Sequence, residues 1–160
     1  MFIKTYRVGK IKLVAMLALS AALVAVLALF IPKYPVISVS AADGTRVYTG
    51  VKTNEDRIKF LNHFGWEVGE EPIEAVNVTV PEVFDSIFEG YNQLQISQGL
   101  DLARYKKKTV TRYTYFVTNY PDYDGDVVAT LLVYRGRVIG GDICSTDPEG
   151  FIHGLTGRGG

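Results

Sequence analysis

The residues best able to make or break bonds stand near the C-terminal end of the chain. Asp142 and Cys144 are separated by one residue, and His153 follows. A thiol or carboxylate within reach of an imidazole would give a nucleophile with its base. That chemistry needs a partly exposed, activated thiolate, which spacing alone does not supply. Adding His63 completes a set of metal-capable types, but their separations match no zinc pattern, and the bland reading is two unrelated histidines. Cys144 is the one cysteine, so no intramolecular disulfide forms. A buried, unreactive thiol is its plainer role, and cross-linking of two chains is the other.

The loop Asp122-Tyr123-Asp124-Gly125-Asp126 gathers three carboxylates, ligands of the kind calcium takes. An EF-hand loop needs a bidentate Glu at its twelfth position, and counting from Asp122 places Val133 there. A polar turn in which Asp-Gly supplies the backbone conformation accounts for the loop instead. No catalytic, cofactor-binding or metal-ligating residue is therefore assigned, and no cofactor is expected.

Two features remain as a candidate interaction surface. Lys106-Lys107-Lys108, with Arg104, Arg112, Tyr105 and Tyr113 nearby, is the one basic cluster. It could meet an anionic partner or form a solvated turn. Asp142 follows Gly140-Gly141 inside an apolar run. No helix and no Lys-Ser/Thr follows, so this is not a phosphate loop. The glycines read as a bulge or a close backbone approach, and Asp142 either caps a turn or binds a ligand. The 10 Tyr and 8 Phe, many of them in strand-like runs, fill a core or line an open sheet face that could take a peptide or glycan.

Charge narrows the partners. Lys+Arg and Asp+Glu each number 17, but the neutral total hides an asymmetry. Before Leu13 stand Lys4, Arg7, Lys10 and Lys12 with no acid. From Asp43 onward 17 acids face 12 bases, leaving that part five charges negative (12 − 17). An acidic domain lacks the clustered cations that displace counterions from phosphates, so nucleic acid is excluded as a partner.

These side chains are positioned by a domain whose elements can be read from pattern. Thr53-Asn54-Glu55-Asp56 is a helix start, with Thr53 as cap and acids in the first turn. Ile58, Leu61 and Phe64 recur at helical spacing, and Gly65 ends the helix. A short Trp66-Glu67-Val68 strand leads to Ala75–Val80, where Val76, Val78 and Val80 alternate with polar residues. Pro81 suits the first position of a second helix, with Val83, Phe84, Ile87, Phe88, Tyr91 and Leu94 as its apolar face, running to Gly99. Strands follow over Thr109–Asn119, Asp126–Tyr134 and Arg137–Cys144, the last two forming a hairpin across Arg135-Gly136. A short edge strand fits near Thr45–Tyr48. Residues 53–155 thus read as an α+β, two-layer domain of two helices packed on one face of an antiparallel sheet, with 156–160 a disordered tail.

Residues 13–32 form 20 positions without a charge, and eleven of them are Leu, Val, Ile or Phe. At about 1.5 Å rise per residue they span the ~30 Å hydrocarbon core of a bilayer. Those eleven side chains favour insertion by roughly 3–7 kcal/mol. Four bases precede the segment and Lys33 follows it, so residues 1–12 are expected to be a cytoplasmic tail and the domain extracytoplasmic. The segment reads as a single-pass transmembrane helix, a signal anchor, whose direct partner is the lipid bilayer, with a linker over 33–52. A secreted form is the alternative, because Ser40-Ala41-Ala42 before Asp43 offers signal peptidase a cleavage site near Ala42.

A set of short runs points to a family. They are Asn54-Glu55-Asp56-Arg57 leading to Phe64-Gly65-Trp66-Glu67-Val68, Tyr91-Asn92 with Gly99-Leu100-Asp101-Leu102, Arg112-Tyr113-Thr114-Tyr115, Asn119-Tyr120-Pro121, and Val138-Ile139-Gly140-Gly141-Asp142-Ile143. Over roughly Thr53 to Leu155 the chain resembles the bacterial family catalogued as domain of unknown function 4830. The resemblance implies an extracytoplasmic domain behind an N-terminal hydrophobic segment, in Gram-positive-type bacteria. It brings no activity, and so no catalytic residue. The expected function is a non-enzymatic binding or interaction module at the bacterial cell envelope, meeting an envelope protein or wall glycan. The rivals are an envelope hydrolase using Asp142 or Cys144 with His153, and a structural accessory subunit.

Overall fold

The computed structural model describes residues 48–157. The tail 1–12, the apolar segment 13–32, the linker as far as residue 47 and residues 158–160 lie outside the described residues. Among the described residues no helix is long and apolar enough to cross a membrane.

Helix α1, Asn54–His63, begins where its capping chemistry predicts. Thr53 Oγ1 accepts from Asp56 N at 3.2 Å, and Asp56 Oδ2 accepts from Thr53 N at 2.9 Å. This capping box satisfies two otherwise orphaned donors. Gly65 then takes φ 88°, the left-handed conformation that ends a helix at low cost to glycine. Thr53→Ala is expected to cost about 1 kcal/mol in chemical denaturation; an unchanged midpoint would show the cap to be idle.

The sheet is antiparallel, in the order β1-β5-β4-β3-β2. Its strands are β1 Tyr48–Thr49, β2 Glu74–Thr79, β3 Thr109–Phe116, β4 Val127–Tyr134 and β5 Arg137–Ser145, with β6 Ile152–His153 also paired to β5. Arg135 (φ 50°) and Gly136 (φ 74°) make the two-residue turn between β4 and β5, both positive as a right-twisted hairpin favours. The expected strand at Trp66–Val68 contracts to a single bridge, Val68 to Val117. The folded domain starts before Thr53, since Tyr48 and Val51 are buried in the core.

Strand alternation divides the core in two. Tyr115, Ala129, Leu131, Val133 and Ile143 share the first face with Phe60 and Leu61 of α1. Val110 and Leu132 lie on the second face. There they meet Phe88 and Tyr91 of helix α2, Ser86–Ser97. The two helices therefore pack on opposite faces, and the sheet is a middle layer. This corrects the expectation of both helices on one face: periodicity shows which positions a helix buries, not which side of the sheet receives them.

Helix α2 also starts later than Pro81. Asp85 caps it, its Oδ1 accepting from Phe88 N at 2.8 Å. The carboxylate supplies an acceptor for the first turn, which proline cannot. Val83 and Ile87, expected on the apolar face, are 80% and 82% exposed. The α2 residues that are buried are instead amides, Asn92 and Gln95.

Candidate functional site

On the second face, α2 leaves a cleft of about 350 Å³ between itself and strands β2 to β5. Val78, Val80, Val110 and Leu132 make an apolar floor, Phe88 stands on the helix side, and Ile152 reaches in from β6. The polar members of the lining are Tyr91, Arg112, Thr114, Thr130 and Asp142, together with Thr79. A second, more apolar depression of about 410 Å³ adjoins it along Pro81, Val83, Ile87, Phe88 and Tyr91.

Asp142 reaches this cleft because of the two glycines before it. The β4–β5 register shifts between Leu132 and Val133, bulging β5 around Ile139. A bulge re-aims the side chains that follow it. After it, Gly140 pairs with Leu132, Gly141 with Leu131, and Asp142 with Thr130. A Cβ on Gly141 would lie 3.0 Å from both Leu155 Cδ1 and Thr130 O, so close backbone approach is what the glycine serves. The bulge and close approach read from the sequence are both present.

Asp142 is 4% exposed. Tyr91 Oη donates to its Oδ1 at 2.7 Å, and Thr130, its partner across the strands, brings a further hydroxyl near. Burial pushes its carboxyl up to about 6, against the opposing pull of the Tyr91 hydroxyl, the Arg112 charge and the Thr130 hydroxyl. Tyr91 is driven well above the usual phenol range, by its own burial first and then by the Asp142 charge. Arg112 is half-exposed and pairs with Glu74, Nη2 to Oε2 at 2.8 Å, while its buried Nε has no hydrogen-bond partner. Asp142 thus has a neutral hydroxyl donor, Tyr91, and a nearby cation that is ion-paired with Glu74.

The nucleophile pairings expected of an envelope hydrolase do not form. Ile143 pairs with His153 and Cys144 with Ile152. Paired residues share a face and successive ones alternate, so His153 projects to the first face while Asp142 and Cys144 project to the second. His153 sits there in an aromatic stack with Phe151, Trp66 and Tyr120, its Nε2 3.0 Å from Tyr120 Oη. The Cys144 thiol is pushed up by burial first and by the Asp142 charge second, the reverse of activation. His63 is on α1 with its ring against Phe64.

The loop at Asp122–Asp126 behaves as a turn. Asp122 adopts φ 54°, and Tyr123 packs against Tyr120 and Phe151 while bonding Ser145 and Asp147. Among the described residues no group of three or more His, Cys, Asp or Glu could hold a metal ion. Lys106, Lys107 and Lys108 follow the 3-10 turn Leu102–Tyr105. Lys107 pairs with Glu82 at 2.5 Å and Lys106 covers the Phe84 ring at 4.6 Å. Backbone bonds join Lys107 and Lys108 to Val80, so this turn buttresses one wall of the cleft from behind, while Asp142 faces into it.

Sequence reasoning singled out Asp142 but placed Tyr91 among core residues and Arg112 beside the lysines. One signal was available for Arg112. It occupies the middle of the Val110-Arg112-Thr114 row of a single strand face, where a cation has no reason to stand unless that face is open.

Most of the chain is matched by one family model, described as domain of unknown function (DUF4830), over residues 60–143. No curated protein and no solved structure matches the chain.

Proposed function

Starting from the chain's membership of the DUF4830 family, we propose that it is a membrane-tethered, extracytoplasmic binding module of the bacterial cell envelope whose ligand site is the Asp142 cleft. The tether is residues 13–32, whose uncharged run and basic N-terminal flank support insertion with the domain outside. The observation that carries the site is the buried Asp142 carboxylate, hydrogen-bonded at the cleft by the neutral Tyr91 hydroxyl. A charge kept there at a cost to stability is a mark of function more than of architecture. Apolar walls with a few convergent polar groups are the ordinary composition of a ligand pocket, and about 350 Å³ falls in the range such pockets occupy. Asp142 is arranged to present a charge, not to share a proton with a base, which favours binding over catalysis.

Two readouts on intact cells test this. Protease added from outside should remove a C-terminal tag; complete protection overturns the location. A photo-crosslinking side chain at Ile87, exposed beside the cleft, should capture a ligand or partner that the same group at Asn77, on the other face of β2, does not. Equal capture at both positions, or none, overturns the cleft as the site.

A further inference from the structure

Resting on that reading of the cleft, we infer that its ligand is a small organic ammonium ion carried on an apolar body. Among the described residues the charged groups of the site are Asp142 and Arg112, which line it, and Glu74, which pairs with Arg112. With Arg112 and Glu74 cancelling each other, one negative charge is left over, and it is the one buried at the cleft rather than at its rim. Among the described residues Asp142 forms no ion pair: its hydrogen-bond partner Tyr91 and its strand neighbour Thr130 are neutral, and the Arg112 charge acts on it only from a distance. A carboxylate so placed is satisfied best by a cation that brings its own N–H donors.

The walls specify the rest. Phe88 and Tyr91 stand with ring centroids 6.1 Å apart at 66°, and both line the cleft. Aromatic faces beside a carboxylate are the usual surroundings of a bound ammonium, because the ring quadrupole attracts the cation. The floor of Val78, Val110 and Leu132 offers no hydrogen-bonding side chain and would take an alkyl or aryl body. An anionic ligand would meet the Asp142 charge at the cleft, and Arg112, whose Nη2 is already bonded to Glu74, has its buried Nε left to offer against that charge. A neutral hydrocarbon would leave the carboxylate buried without a counter-charge.

The test uses the full chain with Val methyl groups labelled for NMR, and n-butylammonium, n-butanol and butyrate as probes of equal chain length. Butylammonium should shift the Val78 and Val110 methyl signals saturably and lower the Asp142 titration midpoint. Butanol and butyrate should bind at least tenfold more weakly. Asp142→Asn should weaken butylammonium tenfold or more while leaving the fold intact, and Tyr91→Phe should weaken it less. Stronger binding of butyrate or butanol, or binding indifferent to Asp142→Asn, overturns the ammonium assignment while leaving the cleft a binding site. Tighter binding of Nα-acetyl-lysine amide than of butylammonium also overturns it, assigning the site to a lysine of a polypeptide. No binding by any probe overturns it as well, and the crosslinking at Ile87 then decides separately whether the cleft binds at all.

Discussion

Replacing Asp142 by asparagine is expected to stabilise the folded domain at pH 7.5 by up to about 3 kcal/mol. The carboxyl titrates near 6 in the folded protein against an ordinary 3.8, a rise of roughly two units at about 1.4 kcal/mol each. The sign follows from proton binding. Between about pH 6 and pH 4 the folded state holds a proton at Asp142 that the unfolded state has released, so this group's contribution grows as pH falls. It is fully present below the unfolded value and lost as pH rises through the folded one. Asparagine cannot ionise, keeps an acceptor for Tyr91 Oη, and carries no charge-burial penalty at neutral pH, its buried NH2 group setting the shortfall from the full gain. Other carboxylates titrate in the same window, so the informative quantity is the difference between the two proteins in urea denaturation at pH 4.5 and 7.5. That difference should favour the variant at pH 7.5 and close towards pH 4.5. A variant less stable than the parent at pH 7.5 would show that the carboxylate is there for the fold.

The same substitution separates stability from function. If the cleft binds an ammonium ion, Asp142→Asn gives a more stable protein that has lost its ligand, the trade expected where a site is maintained against the fold's own preference. Loss of binding in a stabilised variant cannot be attributed to unfolding.

Local chemistry made parts of this structure readable from the chain. The Thr53 cap, the Gly65 stop, the Arg135-Gly136 turn and the Gly140-Gly141 irregularity each rest on one or two residues whose conformational demands are strong, and each appears where the residues place it. The family resemblance, too, was carried by short runs, and the matched region 60–143 holds most of them. Long-range placement was not readable. The Val83–Leu94 stripe looks like one apolar face, yet the cap at Asp85 starts the helix late and leaves Val83 and Ile87 exposed. The cleft depends on α2 lying on the side of the sheet opposite α1, which no local pattern encodes. Gln95 and Gln98, which lie outside that apolar stripe, are buried.

Those two glutamines carry the second large effect. Strands β1 and β6 both pair with β5 along its outer edge, at Arg137–Val138 and at Ile143–Cys144. Between them the edge of β5 would be left without partners, a situation buried backbone does not tolerate. Gln95 Oε1 accepts from Gly141 N at 2.9 Å, and Gln98 Nε2 donates to Gly141 O at 2.9 Å. Gln98 Oε1 also accepts from Leu155 N at 2.7 Å, tying the C-terminal segment to the same point. Two side-chain amides thus stand in for a missing stretch of strand. Gln98→Leu keeps most of the volume but strands Gly141 O and Leu155 N, and at about 1–3 kcal/mol for each buried group left unsatisfied the expected loss is about 2–6 kcal/mol in chemical denaturation. Loss of the clamp should also free the C-terminal end of α2, whose Tyr91 sits two turns earlier over Asp142. The amide of Gly141 should then exchange faster with solvent, and butylammonium should bind more weakly even where the domain remains folded. A Gln98→Leu protein of unchanged stability and unchanged Gly141 exchange would mean that water completes the edge as well as glutamine does, and that the position of α2 over the cleft is set by its contacts with Val110 and Leu132 alone.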